Sequence, residues 1–95
     1  MKVTISAAAK RDIAENIKYI SDKGYPHNAE KLYDRMLAFL PTLGEMPEKY
    51  AICRNKRFGE KQYRCAVFEK SYVFVYAINK NSVLLLRVIH GLRFS

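Results

Sequence analysis

The sequence predicts an α+β domain: an N-terminal strand, an α-helical hairpin, and a C-terminal antiparallel β-sheet that the hairpin covers on one face. Three observations lead there. Apolar residues recur at helical spacing between residues 7 and 40, strand-like apolar segments follow residue 51, and short polar turns separate those segments. The chain has 95 residues, 49% of them apolar, which suits one domain, 1–95, with a packed core of its own.

The opening "KVTIS" alternates and is β-branched, so it reads as a short strand. Ser6 can cap a helix that starts at Ala7, with Ala9, Ile13, Ile17 and Ile20 on its apolar stripe. Gly24 and Pro26 stop that helix near Lys23. A second helix is expected after Asn28, with Ala29, Leu32, Tyr33, Met36, Leu37 and Leu40 on one face. Pro41 lacks an amide proton and clashes with the Leu37 carbonyl, so this helix is expected to kink or end there. Four strands follow, "AICRNKRF", "QYRCAVFE", "YVFVYAI" and "VLLLRVIH", joined by "GEK", "KS" and "NKNS" as an antiparallel meander.

Turn positions set an expected register. A turn at Gly59 to Gln62 pairs Phe58 with Tyr63, Arg57 with Arg64, and Lys56 with Cys65. Cys53 then faces Phe68, and both cysteines are expected to be reduced. A turn at Lys70-Ser71 pairs Val67 with Phe74 and Cys65 with Tyr76, which turns Tyr63, Cys65 and Val67 toward the helices. In the last strand, Leu84, Leu86 and Val88 are expected to face the helices. The opposite, open face then carries a small-residue floor edged by Arg57, Arg64 and Arg87, with Arg93 beyond Gly91. Arginines side by side repel, and an anion between them would relieve the repulsion. Each of them, taken singly, also reads as a solvated strand residue.

Charge supports the same half of the chain. Residues 1–50 hold eight Lys and Arg against seven Asp and Glu, whereas residues 51–95 hold nine against two, within a total of +8. Such asymmetry suits an acidic partner, either nucleic acid or an acidic protein segment, and suits equally a charge that serves solubility alone. No apolar run approaches the roughly 18 residues of a membrane span. "MKVTISAAAKRD" turns charged too early for a signal peptide, so a cytoplasmic protein with no membrane partner is expected. Two cysteines and the separated His27 and His90 lack metal-ligand spacing, so neither metal nor cofactor is expected. His90 reads most simply as a group that caps the strand end or packs beside Tyr72, and Gly91 as a residue permitting a bulge or unusual backbone angle.

The segments "AAAKRDIAENIKYI", "LAFLPTLGEMPEKY" and "QYRCAVFEKSYVFVYAINKNSVLLLRVIHGLR" together resemble the RelE/ParE superfamily of bacterial type II toxins. The closing "LRVIHGLR" is especially similar to the ParE-type ending. That resemblance implies a helical hairpin on an antiparallel sheet. It also implies a toxin neutralised by a cognate antitoxin, whose acidic, wrapping segment would suit the basic half.

Two activities follow from the resemblance. RelE-like members are ribosome-dependent mRNA endonucleases, which need a group to activate the 2′-hydroxyl and cations for the developing charge. The resemblance puts one such arginine at the position of Val73 and another at Arg93, often with a tyrosine or histidine close behind. Val73 departs from that pattern, no tyrosine follows Arg93, and His90 is the remaining group that titrates near neutral pH. A nuclease would therefore depend on Arg93, His90 and, through the expected register, Arg64. ParE-like members instead poison DNA gyrase, which asks for a binding surface. Arg57, Arg64, Arg87 and Arg93 would supply it, and this is the favoured reading. A third reading is an inactive member that binds only its antitoxin.

Overall fold

The computed structural model describes residues 1–94. The chain runs β1 (Lys2–Ile5), α1 (Ala7–Asp22), α2 (Pro26–Glu45), α3 (Lys56–Gly59), β2 (Arg64–Phe68), β3 (Tyr72–Ile78) and β4 (Ser82–His90), then a 3₁₀ turn at Gly91–Arg93. Strand order in the sheet is β1-β4-β3-β2, with β1 parallel to β4 and the other pairs antiparallel. The sheet is therefore mixed: the N-terminal strand adds to the edge of an antiparallel three-stranded meander.

Helix α1 forms as its sequence dictates. The Ser6 hydroxyl accepts the Ala9 N–H at 3.0 Å, and Ala9 and Ile13 are buried, with Ile17 and Ile20 packed against the core. Helix α2 starts earlier than expected because Pro26 occupies its first turn, where a missing N–H leaves nothing unsatisfied. It also runs through Pro41 to Glu45 instead of ending there. Leu37 and Pro41 both lie on the exposed side, where water can reach the carbonyl that loses its partner. Leu40, Leu43 and Gly44 are buried, so continuing the helix extends its apolar contact. Tyr33 and Leu37, expected inside, are 41% and 39% exposed. The buried stripe is Ala29, Leu32, Met36, Leu40 and Leu43, and adding residues 33 and 37 made it too wide.

The segment read as the first strand of the meander is not one. Ile52 makes a single antiparallel bridge to Arg64, and the chain then turns into α3, capped by Asn55 Oδ1 accepting the Phe58 N–H at 3.3 Å. Arg57 therefore lies in α3 and does not pair with Arg64. In the β2–β3 turn, Glu69 and Lys70 both take positive φ, 49° and 63°. The resulting register joins Cys65 to Val75, Ala66 to Phe74 and Val67 to Val73. It differs from the expected one by one residue, and such a slip exchanges the faces of a strand. Ala66 and Phe68 enter the core under the helices, while Cys65 joins the cluster on the far side.

A bulge shifts the last strand as well. Val75 pairs with Arg87 but Tyr76 pairs with Leu85, leaving Leu86 without a partner on β3. Val83, Leu85 and Val88 consequently fill the main core, in place of Leu84, Leu86 and Val88.

The far side of the sheet is not open. Buried Cys53, Phe58, Val73 and Val75 form a second apolar cluster there, with Tyr63, Cys65, Leu86, Ile89 and Phe94 packed against it. Residues 51–63 roof the face that was expected to stay bare. Cys53 and Cys65 form a disulfide with Cα atoms 5.0 Å apart, so the expectation of two reduced cysteines is overturned. The bond becomes possible because the chain before α3 lies directly beside β2: Cys53 N–H donates to Tyr63 O at 2.8 Å and Cys65 N–H to Ala51 O at 3.2 Å.

Side chains of α1 and of its N-cap Ser6 complete the edge of β4. Strand β1 covers β4 only from Ser82 to Leu85. Beyond that point Ser6 Oγ donates to Leu86 O, Asp12 Oδ2 accepts the Val88 N–H at 2.9 Å, and Asn16 Nδ2 donates to Val88 O at 3.4 Å. Buried strand amides need partners, and a helix supplies them where the neighbouring strand stops.

Candidate functional site

The basic residues singled out in the sequence divide into two groups. Arg64 and Arg87 are engaged inside the fold. Arg64 Nη1 donates to Tyr50 O at 2.7 Å and Glu48 O at 3.5 Å, fastening the connection after α2 to the start of β2. Arg87 forms a two-pronged ion pair with Asp12, Nε to Oδ2 at 2.7 Å and Nη2 to Oδ1 at 3.1 Å. The carboxylate's hydrogen bond holds the Arg87 guanidinium above its ordinary pKa, against the opposing effect of burial. The expected position of Arg87 on a bare basic face is thus corrected: its charge is neutralised by α1.

Arg57 and Arg93 stand apart from that frame. Arg57 is exposed and lies over the Phe58 ring, 5.2 Å from its centroid. Arg93 sits on the 3₁₀ turn, also exposed. Among the described residues, no carboxylate pairs with either. Together with Asn55, Lys56, Phe58, Ile89 and Phe94 they line a cleft of about 400 Å³ between α3 and the C-terminal turn.

Arg93 and Ile89 also border a second, larger groove of about 590 Å³ between α1 and the end of β4. Its walls mix signs, with Asp12 and Glu15 on one side and Arg87 and Arg93 on the other. Tyr19 and Leu92 stand at this groove 58% and 91% exposed, which gives it an apolar component that solvent does not favour. The two cavities meet at Arg93, at the C-terminal corner of the sheet.

His90 has a local structural role. Its Nδ1 accepts the Leu92 N–H at 3.2 Å, capping the 3₁₀ turn, and its ring meets Tyr72 edge-on with centroids 5.3 Å apart. Burial, reinforced by the Glu69 charge, pushes the Tyr72 phenol up, so it stays protonated beside the imidazole. Gly91 has no positive φ; its N–H donates to Ser71 O at 2.7 Å, and a Cβ there would stand 3.3 Å from the same oxygen. Close approach of two backbones, and not an unusual angle, marks this position: a Cβ would fit only if the Ser71 carbonyl gave way by a few tenths of an ångström. Val73 is buried in the second cluster.

Sequence reasoning passed over Asp12, Lys56 and Phe94. A signal for Asp12 was present: it adjoins the apolar stripe of α1, and Arg87 interrupts an apolar strand, so each needs the other. Phe94 was harder to find, because its role depends on the second cluster. Its ring stacks near Phe58, 6.0 Å between centroids and 14° between planes.

A helical hairpin thus lies on a mixed sheet, and two cavities meet at its C-terminal corner. The sequence model for the ParE toxin of the type II toxin-antitoxin system, parDE, matches residues 3–93, and the chain belongs to that family. In structure it is similar to the chromosomal ParDE TA system from P. aeruginosa, with a TM-score of 0.79, 14% identity and 95% of each chain covered. No curated relative matches the sequence. The resemblance to RelE/ParE-type toxins and the α+β class are both borne out, and the protein is a toxin of the type II toxin-antitoxin kind.

Proposed function

We propose that this protein is a ParE-like toxin that acts on DNA gyrase in the cytoplasm and is held inactive by a cognate antitoxin with an acidic, wrapping segment. The observation that carries this reading is the family match along residues 3–93. Site geometry supports it against RNA cleavage. A nuclease on this scaffold would call on Arg64, His90 and Arg93. Yet Arg64 is spent on two backbone carbonyls, and the His90 Nδ1 is spent on a cap. Val73 is buried at the position where the resemblance expects a cation. Poisoning a partner asks for exposed surface, and the C-terminal corner offers cations and apolar groups together.

Purified, folded protein should inhibit supercoiling by gyrase or increase the cleaved DNA complex. Normal supercoiling in the presence of excess folded toxin, with no added cleavage, would sink the assignment. The alternative predicts cutting of mRNA on programmed ribosomes, with loss on Arg93→Ala.

A further inference from the structure

We propose that the cleft between α3 and the C-terminal 3₁₀ turn binds the phosphodiester backbone of nucleic acid through Lys56, Arg57 and Arg93. This inference goes beyond the choice of target, because it concerns direct contact with nucleic acid in the absence of any other protein.

The first support is the unneutralised charge. The α1–β4 groove contains its own carboxylates, Asp12 and Glu15, which would repel a phosphate. Among the described residues, the α3 cleft is lined by three cations and no carboxylate. Nearby, Arg54 and Lys61 are also exposed, and Glu60 is the one acid between residues 51 and 68. Glu60 reaches Lys56 only at 4.0 Å, with both side chains in solvent. A row of cations with so little compensation creates a positive field suited to a polyanion.

The second support is the rigidity of the cluster. The Cys53–Cys65 disulfide and the Asn55 cap fix the base of α3. A Cβ on Gly59 would fall 2.4 Å from Cys53 O, so α3 is pressed directly against the chain that precedes it. Arg57 lies over Phe58, an arrangement that steadies a guanidinium while leaving N–H groups for hydrogen bonding. Cations held together this way repel one another unless an anion is present. The cleft's apolar wall of Phe58, Ile89 and Phe94 suits the sugar face of a backbone, and its volume of about 400 Å³ is small for a helix of an acidic protein.

Binding by the full chain should be measured by fluorescence anisotropy with labelled random-sequence duplex DNA and single-stranded RNA, titrated in salt from about 50 to 200 mM. Salt-sensitive binding to either probe is expected, and the tighter one identifies the source of the backbone. Arg57→Ala and Arg93→Ala should each lower the slope of log K against log salt by about 1. Lys10→Ala/Arg11→Ala removes two charges from exposed positions on α1 and should weaken binding less than Arg57→Ala/Arg93→Ala. No binding to either probe at the lowest salt would overturn the proposal. So would equal losses in the two double variants, or displacement by poly-glutamate as effective per charge as unlabelled DNA. All four positions are exposed, and unchanged thermal unfolding will confirm that the variants fold.

Discussion

Asp12 receives three hydrogen bonds at once, two from the Arg87 guanidinium and one from the Val88 N–H. The carboxylate is 11% exposed and its partner 38%, so solvent screens the pair only in part. Removing the acid leaves both a cation and a strand amide unsatisfied, whereas removing the cation leaves the amide still bonded. Asp12→Ala should therefore cost about 2 kcal/mol of stability and Arg87→Ala about half as much, as read by urea denaturation. Arg87's folded pKa is raised above its ordinary value by the Asp12 hydrogen bond, so its contribution is complete below the ordinary guanidinium range and is lost only as pH rises through the folded value. At this scale the sequence was partly legible. Arg87 was visible as an anomaly in an apolar strand, but naming its partner requires knowing that α1 replaces β1 along the edge of β4.

At the scale of elements, the segment from Ala51 to Tyr63 decides how much of the sheet is covered. It roofs the second cluster and is tied to β2 by the disulfide and two backbone hydrogen bonds. The Cys53–Cys65 link closes a short loop, sequence separation 12, and a bond of this kind stabilises by about 2–4 kcal/mol. Cys53→Ser/Cys65→Ser should lose that amount under oxidising conditions. A dithiol should lower the wild-type midpoint by a similar margin and leave the variant unchanged; equal midpoints for the oxidised proteins would contradict the role given to this segment. The helices were legible because sixteen and twenty residues of 3.6-period pattern average out local ambiguity. Residues 51–58 offered one short apolar-polar run, too brief to tell a strand from a capped helical turn. The strand YVFVYAI carried a clue that went unused: it has no charged residue on either face, so both faces had to be covered.

On the scale of the whole molecule, charge and architecture agree. The helical half is nearly balanced, and the excess of cations falls on residues 51–95, which supply both the roofing segment and the C-terminal turn. That asymmetry was fully legible in composition, and the hairpin-on-sheet layout in the spacing of apolar residues and turns. The site was legible only as a set of candidate arginines. Which of them face solvent depends on a one-residue register, a bulge and a short helix, all set by tertiary contacts. The outcome separates Arg64 and Arg87, which hold the fold together, from Arg57 and Arg93, which are exposed and line the α3 cleft. Among the described residues no helix is long and apolar enough to cross a membrane.

Gyrase, the target proposed for this ParE-family toxin, is open to direct assay in cells. Its most direct test follows DNA damage signalling and protein synthesis together after the toxin is induced in cells without antitoxin. An SOS response with filamentation is expected, while translation continues at first. Immediate arrest of translation without an SOS response would contradict it.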